Sequence, residues 1–345
     1  MMKLNSSAIA VASTLLASTS AFAAQIYSGE GTTLAVGGYV DVGVGKYFDE
    51  NVEVHQVSPR INIEGKKEIG NGVTVDAKGE WALNYLDGGD TSFTTRLGYI
   101  GASHDKAGRA VVGTQWSPYY DVAGVADLPI AFANDFLYEN HNNLGSGRAE
   151  KMVSYRNTLE ISSDIALSIG LGWQGKHSDS INTTSLSGDT VVTKRSTADY
   201  DPRGQIAVSG EFAGFGVGYV YSGGDVGTKN AKSHMVSVNY GSYGKGIYVA
   251  GVLGKNDYFY DGLAETYQYE ALVAFGLDNG VNISVNYESV EDDKASETQY
   301  SQSALQLEYT VTSGLMTFVG YQFDLGNDIG EKEEDYYTAG VRYFF

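Results

Sequence analysis

Regular alternation of apolar and polar residues is the feature that most restricts the fold of this chain. Between residues 281 and 288, every second side chain is apolar, and residues 73–85, 267–277 and 305–311 show the same period of two. A period of two is that of a β-strand, whose successive side chains point to opposite faces of a sheet. The sequence therefore predicts strands that each have one apolar and one polar face.

The turns between these strands alternate between short and long. Short turns include Asn71-Gly72 and Asn279-Gly280, a pair that suits tight hairpins, whereas polar stretches such as 176–200 are much longer. The chain has 44 Gly but only 4 Pro, which favours many tight turns and few interruptions of the hydrogen-bond ladders. About sixteen strands are predicted, near 33–48, 52–69, 72–86, 92–104, 109–116, 148–160, 164–176, 201–212, 215–223, 231–241, 245–256, 264–277, 280–290, 298–311, 314–324 and 334–345.

A membrane protein, whose strands meet lipid on one face and water on the other, explains this pattern better than a soluble protein, whose strands meet a protein core on one face and water on the other. The strands are longer than the five or six residues usual in soluble sheets, aromatic residues cluster at their ends, and their polar faces carry charges. Strands can cross a membrane only as a closed barrel, because lipid offers no partner for the backbone. We therefore predict an all-β fold, a 16-stranded antiparallel transmembrane β-barrel with an aqueous channel. A secreted β-sandwich or solenoid is the alternative.

The first residues have the features of a bacterial export signal. Lys3 precedes a short apolar stretch, and Ala21-Phe22-Ala23 provides the small residues of a cleavage site. We expect residues 1–23 to be removed and residues 24–345 to form one barrel domain. Cleavage removes Lys3 and no acid, which leaves 22 basic against 42 acidic residues and a charge of −20.

Composition and motifs argue against several other functions. The acidic charge repels nucleic acid, and the absence of Cys excludes disulfides and thiolate chemistry. The five histidines share no motif, and neither a G-x-S-x-G nor an H-E-x-x-H pattern is present. We therefore expect no enzymatic activity, no cofactor and no metal site.

Several motifs resemble the general trimeric porins of Gram-negative outer membranes, and the resemblance covers almost the whole chain. The similar segments are residues 24–31, Arg60 with Glu64 and Gly65, and residues 95–98, 120–129, 152–157 and 341–345. The resemblance implies an outer-membrane homotrimer for passive diffusion of ions and small hydrophilic solutes. It also implies that Tyr343 and Phe345 belong to a terminal signal recognised by the barrel-assembly machinery, and that the third loop, residues 117–147, folds into the barrel.

The same resemblance implies a charged constriction. On the loop, Asp121, Asp127 and Asp135 are candidates for its acidic side. Arg60, Arg96 and Arg148 match the positions of the family's opposing arginines, and Arg60 and Arg96 fall out of phase with their apolar neighbours, as lumen residues should. Opposed charges in a narrow space produce a transverse field that favours polar solutes. Each arginine could instead be an ordinary solvated charge, Arg148 an anchor of the loop, and Asp127 a cap of the turn before Pro129.

Some features depart from the family pattern or leave the function open. The resemblance implies that Ile130 stands where many relatives have a Glu and that Tyr39 replaces a Lys. The loop at 86–91, which latches subunits in enteric relatives, is short. The net charge predicts mild cation selectivity. A substrate-specific oligosaccharide channel of the same fold is the alternative. The acidic outer loops could bind lipopolysaccharide through divalent cations; their acids are Glu291, Asp292, Asp293, Glu331, Glu333, Glu334 and Asp335.

Overall fold

One continuous antiparallel sheet contains nearly all of the regular structure. The computed structural model describes residues 23–86, 93–134, 141–187, 190–260, 263–332 and 334–345. The strands within these ranges are β1 Ala24–Gly29, β2 Thr32–Lys46, β3 Glu53–His55, β4 Arg60–Gly70, β5 Val73–Leu83, β6 Phe93–His104, β7 Gly108–Trp116, β8 Arg148–Ser162, β9 Ile165–Gln174, β10 His177–Ser187, β11 Thr190–Tyr200, β12 Arg203–Phe212, β13 Phe215–Val226, β14 Lys229–Ser242, β15 Lys245–Asp257, β16 Glu265–Gly276, β17 Val281–Asp292, β18 Glu297–Thr312, β19 Leu315–Asp324 and β20 Tyr336–Phe344.

Sixteen of these strands form a closed barrel, as the sequence predicts. Each pairs with the next around the wall, β9 pairs directly with β12, and the last strand, β20, pairs with β2. At this closure Asp41 lies opposite Arg342 and Tyr39 lies opposite Phe344. The strands outside the barrel wall are β1, β3, β10 and β11. Closure pairs the first strand of the described barrel wall with the last one, which is the condition for crossing lipid with strands.

The predicted strand boundaries differ from the observed ones in two places. The predicted strand 52–69 is broken into β3 and β4, because residues 56–59 leave the ladder. There the Asp41 carboxylate accepts a hydrogen bond from the Val57 N–H at 2.8 Å, and Pro59 has no N–H to donate. The stretch 176–200, expected to be a polar loop, contains the hairpin of β10 and β11. Its Thr and Val residues favour strands even without an apolar face.

Helices contribute little to the fold. The described residues contain α1 (Pro118–Ala123), a 3-10 turn (Gly124–Ala126) and α2 (His141–Leu144), all within the third loop. No helix in the described part of the chain is long and apolar enough to cross a bilayer. The loop residues 135–140, and with them Asp135, lie outside the described ranges, as do residues 1–22 and 87–92.

The inner and outer faces of the strands follow the predicted alternation. On β17, Asn282, Asn286 and Glu288 are buried in the barrel interior, whereas Ile283 and Val285 are exposed on the outside. The outward apolar residues form the surface that suits lipid, and the inward polar residues suit water.

One part of the expectation is wrong: charged residues do not line every strand. The inward residues of β13 and β15 include Val220, Tyr248, Ala250 and Val252, all of which are buried. These side chains pack with residues of the third loop in one hydrophobic cluster, so they need no contact with water. On this side the inner face of the barrel is therefore partly apolar, with buried polar residues such as Gln205 and Glu270 among the apolar ones.

Candidate functional site

The first half of the third loop packs against the inner face of strands β12 to β16. The Ser117 hydroxyl accepts a hydrogen bond from the Tyr120 N–H at 3.2 Å and caps α1, and the Tyr119 hydroxyl lies 2.9 Å from Ser233 Oγ on β14. Val122 of α1 belongs to the hydrophobic cluster with the fully buried Leu272. A Cβ at Gly218 of β13 would lie 2.9 Å from Val122. A larger residue at Gly218 would therefore push the loop away from the wall.

The second half of the described loop is held by polar side chains of β17 and β18. Gln306 Oε1 accepts hydrogen bonds from the N–H groups of Ala131 at 3.2 Å and Phe132 at 3.0 Å. The Glu308 carboxylate accepts from the Ile130 N–H at 2.8 Å, and Asn286 donates to the Phe132 carbonyl at 2.5 Å. Side chains of the barrel thus satisfy backbone groups that a loop without regular structure leaves unpaired.

Between this loop and strands β2 to β8 lies a cavity of about 660 Å³, which we call the central cavity. Its lining includes Arg60, Arg96, Arg148 and Asp127, four of the six predicted constriction residues. Arg96 Nε lies 2.9 Å from Glu80 Oε1, and Arg60 Nη1 lies 3.8 Å from the same oxygen. One carboxylate on β5 therefore holds two of the predicted arginines together.

Asp127 lies on the loop side of the central cavity. The Tyr120 hydroxyl donates a hydrogen bond to Asp127 Oδ2 at 2.9 Å. Burial, and then the negative charge of Asp127, raise the pKa of the Tyr120 phenol well above its ordinary value, so the phenol keeps its proton and remains a donor. The hydrogen bond fixes the direction of the Asp127 side chain within the loop.

Asp121 lies apart from the other predicted residues. Arg156 Nε on β8 is 2.6 Å from Asp121 Oδ2, and Arg156 Nη2 is 3.2 Å from Oδ1. Asp121 lines a different cavity, one that lies between α1 and strands β12 to β15. This two-point ion pair ties α1 to β8.

Strict alternation along β6 does not explain why the Arg96 side chain lines the cavity. In the pairing of β5 with β6, Glu80 lies opposite Leu97 and Trp81 lies opposite Thr95, which leaves Arg96 in a bulge. Leu97 and Tyr99 also line the cavity, so the interpretation that they lie on the opposite face from Arg96 is wrong. A bulge puts two neighbouring residues on the same side of a strand.

Sequence reasoning missed several charged residues of this site. Glu80 falls in the polar phase of the alternation over 73–85 and belongs to no motif, yet it pairs with Arg60 and Arg96 and lies 3.7 Å from Lys78 Nζ. Its position on a polar face between the strands of those two arginines was the available signal. Arg342 and Asp41, whose nitrogen and oxygen lie 2.8 Å apart, belong to the last and the first barrel strand.

Comparison with known proteins agrees with this architecture. The sequence profile described as Gram-negative porin matches residues 8–345.

The chain belongs to the Gram-negative porin family.

Individual relatives are distant but nearly full-length. Outer membrane protein S2 of Salmonella typhi is 26% identical, with 96% of this chain and 97% of that protein aligned. Outer membrane porin protein OmpD of Citrobacter koseri is 25% identical, over 100% of this chain and 89% of that protein. The structure of Salmonella typhi OmpF in complex with daunomycin superposes with a TM-score of 0.75 at 18% identity, over 93% of this chain and 100% of that one. This porin is therefore an outer-membrane protein.

Tyr39, which is predicted to take the place of a family Lys, lines the central cavity in this porin. Two guanidinium groups contact the Tyr39 ring, with Arg60 Cζ at 4.9 Å and Arg342 Cζ at 4.2 Å from the ring centre. Cations over an aromatic face are attracted to it. The ring therefore attracts two arginines that line the central cavity.

The chain end takes part in closing the porin barrel. Gly38 and Phe345 exchange two backbone hydrogen bonds of 3.1 Å, which extend the ladder between β2 and β20 to the last residue. Tyr343 is exposed on the outer face of β20. The two residues of the predicted assembly signal thus lie at the barrel closure.

The acidic outer loops use part of their charge locally. Lys294 Nζ lies 2.6 Å from Glu265, Lys332 Nζ lies 2.9 Å from Glu50, and Lys332 also pairs with Glu334. The Asp292 carboxylate accepts from the Lys294 N–H at 2.8 Å and shapes its turn. Glu333 lies outside the described residues.

Proposed function

We propose that this porin forms a water-filled channel through which ions and small hydrophilic solutes diffuse passively across the outer membrane. The observation that supports it most directly is the central cavity, which lies inside a closed barrel and is lined by charged side chains. In this proposal residues 117–134 narrow the channel, because they occupy its interior on the side of β12 to β16. Family and fold point to a channel and not to an enzyme.

The proposed constriction has Arg60, Arg96 and Arg148 on the barrel wall and Asp127 on the loop. Opposite charges across a narrow space orient water, and an apolar solute would have to displace that ordered water. Asp121 serves in this proposal to anchor the loop through Arg156. Asp135 remains a predicted constriction residue outside the described ranges.

For small ions we propose mild cation selectivity. The support is the charge of the mature chain, since an acidic protein raises the local concentration of cations. Acidic residues also line a second cavity beside the central one, at Asp49, Glu50 and Glu334. A reversal potential showing anion preference in a salt gradient of KCl would overturn this part of the proposal.

We further propose a homotrimer in the outer membrane, assembled through the terminal signal at Tyr343 and Phe345 and bordered by lipopolysaccharide. The loop at 86–91 is short in this chain, so contacts between barrel walls are expected to carry the association. Residues 87–91 of this loop lie outside the described ranges. Trimers that migrate intact on unheated SDS gels are the expected result. Monomers under those conditions would contradict it.

A substrate-specific oligosaccharide channel is the second candidate, and one observation favours it. The aromatic residues Tyr47, Phe48, Tyr99 and Trp116 line the central cavity. Sugar faces pack well against such rings. Discrete blockades of single-channel current by neutral oligosaccharides would support this candidate, and a smooth decrease with solute size would support general diffusion.

Permeability of vesicles tests the proposal as a whole. Residues 24–345 are refolded in detergent and inserted into liposomes, and swelling is followed in sugars of increasing size. Swelling rates that fall with sugar size are expected from a channel. Liposomes that swell no faster than protein-free ones would overturn the proposal.

A further inference from the structure

Another cavity lies beneath the third loop, on the side of the loop that faces away from the central cavity. It has a volume of about 450 Å³, and we call it the lower cavity. It is lined by α1, Val125 and Leu128 of the loop, and by wall residues between 209 and 218 and between 237 and 248. Its volume is in the range of pockets that bind small molecules.

Small residues of the wall keep this space open. Gly216 and Gly218 of β13 line it, as do Ser209 of β12 and Ser237 of β14. A Cβ at Gly218 would lie 2.9 Å from Ser237 Oγ and 2.9 Å from Val122. Larger side chains at these positions would fill the cavity, because interiors pack closely wherever side chains reach.

The lower cavity opens at the end of the barrel that carries the short turns. Glu211, Asn239 and Tyr243, which lie in or beside the β12–β13 and β14–β15 turns, are half-buried. Gly218 and Ser237, which lie farther from the turns, are buried. Short turns face the periplasm in outer-membrane barrels. A small molecule can therefore enter this cavity from the periplasm.

The opposite end of the lower cavity is closed by the hydrophobic cluster of the third loop. Val122 and Val125 belong both to this cluster and to the lining of the cavity. Farther from the short turns, the Tyr119 ring stacks on Phe259 of the β15–β16 connection, with 5.8 Å between the ring centres. In the described part of the chain, the lower cavity is therefore a blind pocket.

The loop is the partition between the lower and the central cavity. Leu128 lines both of them. Asp121 lines the lower cavity and Arg156 the central one, and the ion pair between them, 2.6 Å from Nε to Oδ2, joins the two sides. A molecule in the lower cavity thus lies next to the proposed channel without occupying it.

The lining combines apolar surface with carboxylates. Val122, Val125 and Tyr248 are buried, and the Tyr248 hydroxyl donates to the Val125 carbonyl at 2.8 Å, which fixes the ring. The carboxylates are those of Asp121 and Glu211. Among the described residues that line this cavity there is no Lys, Arg or His. A cleft whose ionic side chains are all acidic concentrates cations and disfavours anions.

We propose that the lower cavity is a binding site for a small amphipathic ammonium ion that enters from the periplasm, such as an aromatic amine. The ammonium group lies at the mouth near the Glu211 carboxylate, and the apolar body lies against Val122, Val125 and the Tyr248 ring. Burial of the apolar body drives binding, and the carboxylate selects the charge. The site is separate from the proposed channel and does not depend on conduction.

Cysteine labelling tests the charge preference of this site, since the chain has no Cys of its own. N239C places a thiol at the mouth of the lower cavity. S103C places one on β6 at the same end of the barrel, outside the lining of the lower and the central cavity. Residues 24–345 of each variant are refolded into lipid vesicles and treated with two methanethiosulfonate reagents of similar size, one with an ammonium and one with a sulfonate group. The ratio of the two labelling rates should be about tenfold higher for N239C than for S103C.

Protection from labelling tests the class of ligand. Phenethylammonium should slow the labelling of N239C and leave that of S103C unchanged. Ethylammonium lacks the ring, and phenylacetate has the ring with the opposite charge. Each of them should need a concentration about tenfold higher, or more, for the same protection, because one loses the apolar burial and the other the attraction to the carboxylates.

A matched pair of charge variants, made in N239C, locates the ammonium group. E211Q removes the carboxylate at the mouth and should lower the ratio of the two labelling rates about fivefold, the effect of one unit charge at about 4 Å in water. E68Q removes the same charge from β4 at the same end of the barrel, outside the lining of the lower cavity, and should change the ratio less.

Three results would overturn the site: equal rate ratios for N239C and S103C, protection by phenylacetate as strong as that by phenethylammonium, or equal effects of E211Q and E68Q. S237C places a thiol deeper in the same cavity and replaces N239C in these measurements if that variant does not fold. Vesicles that conduct while phenethylammonium protects neither thiol overturn this site and leave the channel intact. Protected thiols in vesicles that do not conduct overturn the channel and leave this site intact.

Discussion

The inner wall of the barrel has two regions that differ in what covers them. Strands β2 to β8 present charged side chains such as Arg60, Glu80 and Arg96 to the central cavity. Strands β12 to β16 present apolar residues such as Ala207 and Leu272, which form one cluster with the loop, together with buried polar residues such as Gln205. The comparison shows that a barrel interior need not be uniformly aqueous. A loop can divide it into a channel and a core.

The third loop, which separates the two regions of the inner wall, is held in place at both of them. On the core side, burial of apolar surface fixes α1. Toward β18, hydrogen bonds from Gln306 and Glu308 fix residues 130–132. A narrowing built on a packed core is expected to keep one shape during conduction, because close packing resists deformation.

The largest expected effect concerns the covered region. L272A removes a fully buried side chain and leaves a cavity under the loop, so the free energy of unfolding should fall by about 2–5 kcal/mol. V273A changes the next residue, which is 52% exposed on the outer face, and should cost less. Urea unfolding in lipid vesicles measures both. Equal losses would show that no dry core exists beneath the loop.

The polar contacts of the loop should matter less than its core. Q306A removes the acceptor of two loop N–H groups and should destabilise the protein by about 1–3 kcal/mol. The single-channel current should become noisier, because residues 131–132 can then move into the channel. T310A, on the same strand, is the control. Quiet recordings from Q306A would show that the core alone holds the loop.

In the charged region we expect a change of selectivity. E80Q removes the carboxylate that faces Arg60, Lys78 and Arg96, so the permeability ratio of K⁺ to Cl⁻ should fall by about two- to tenfold. E68Q removes the same charge from the end of the neighbouring β4, outside the cavity lining, and should change the ratio less. Reversal potentials in a KCl gradient measure both ratios. Equal shifts would show that no local field exists at Glu80.

The smallest effect on stability is expected at a surface ion pair that lies outside both regions of the inner wall. Lys332 pairs with Glu334 and Glu50 on the surface, and these hydrogen bonds raise its pKa. A raised lysine pKa contributes stability that is complete below the ordinary value and is lost only as the pH rises through the raised one. Because the pair is exposed, K332A should lower the urea concentration of half-unfolding only slightly, and by the same amount at pH 6 and pH 8, which both lie below the ordinary lysine pKa. A difference that changes between these two pH values would contradict this.

Most of the fold could be predicted from local patterns, because alternation and turn residues act over a few positions. The prediction failed where a distant contact intervened. Residues 56–59 leave the ladder through Asp41, and Val220 and Ala250 are apolar inward residues because the loop covers them. Of the residues that line the central cavity, Arg60 and Asp127 are named by the resemblance, whereas Glu80 belongs to no motif and is distinguished only by its partners.

The sequence by itself determined the strands, their two-faced character and the need for a closed barrel, since each follows from neighbouring residues and the demand that lipid makes on the backbone. Tertiary structure decided which half of the interior the loop covers, the bulge that turns Arg96 inward, and the meeting of Asp41 with Arg342 at the closure. These depend on the register between strands and on contacts between residues up to 301 positions apart, which no local pattern encodes.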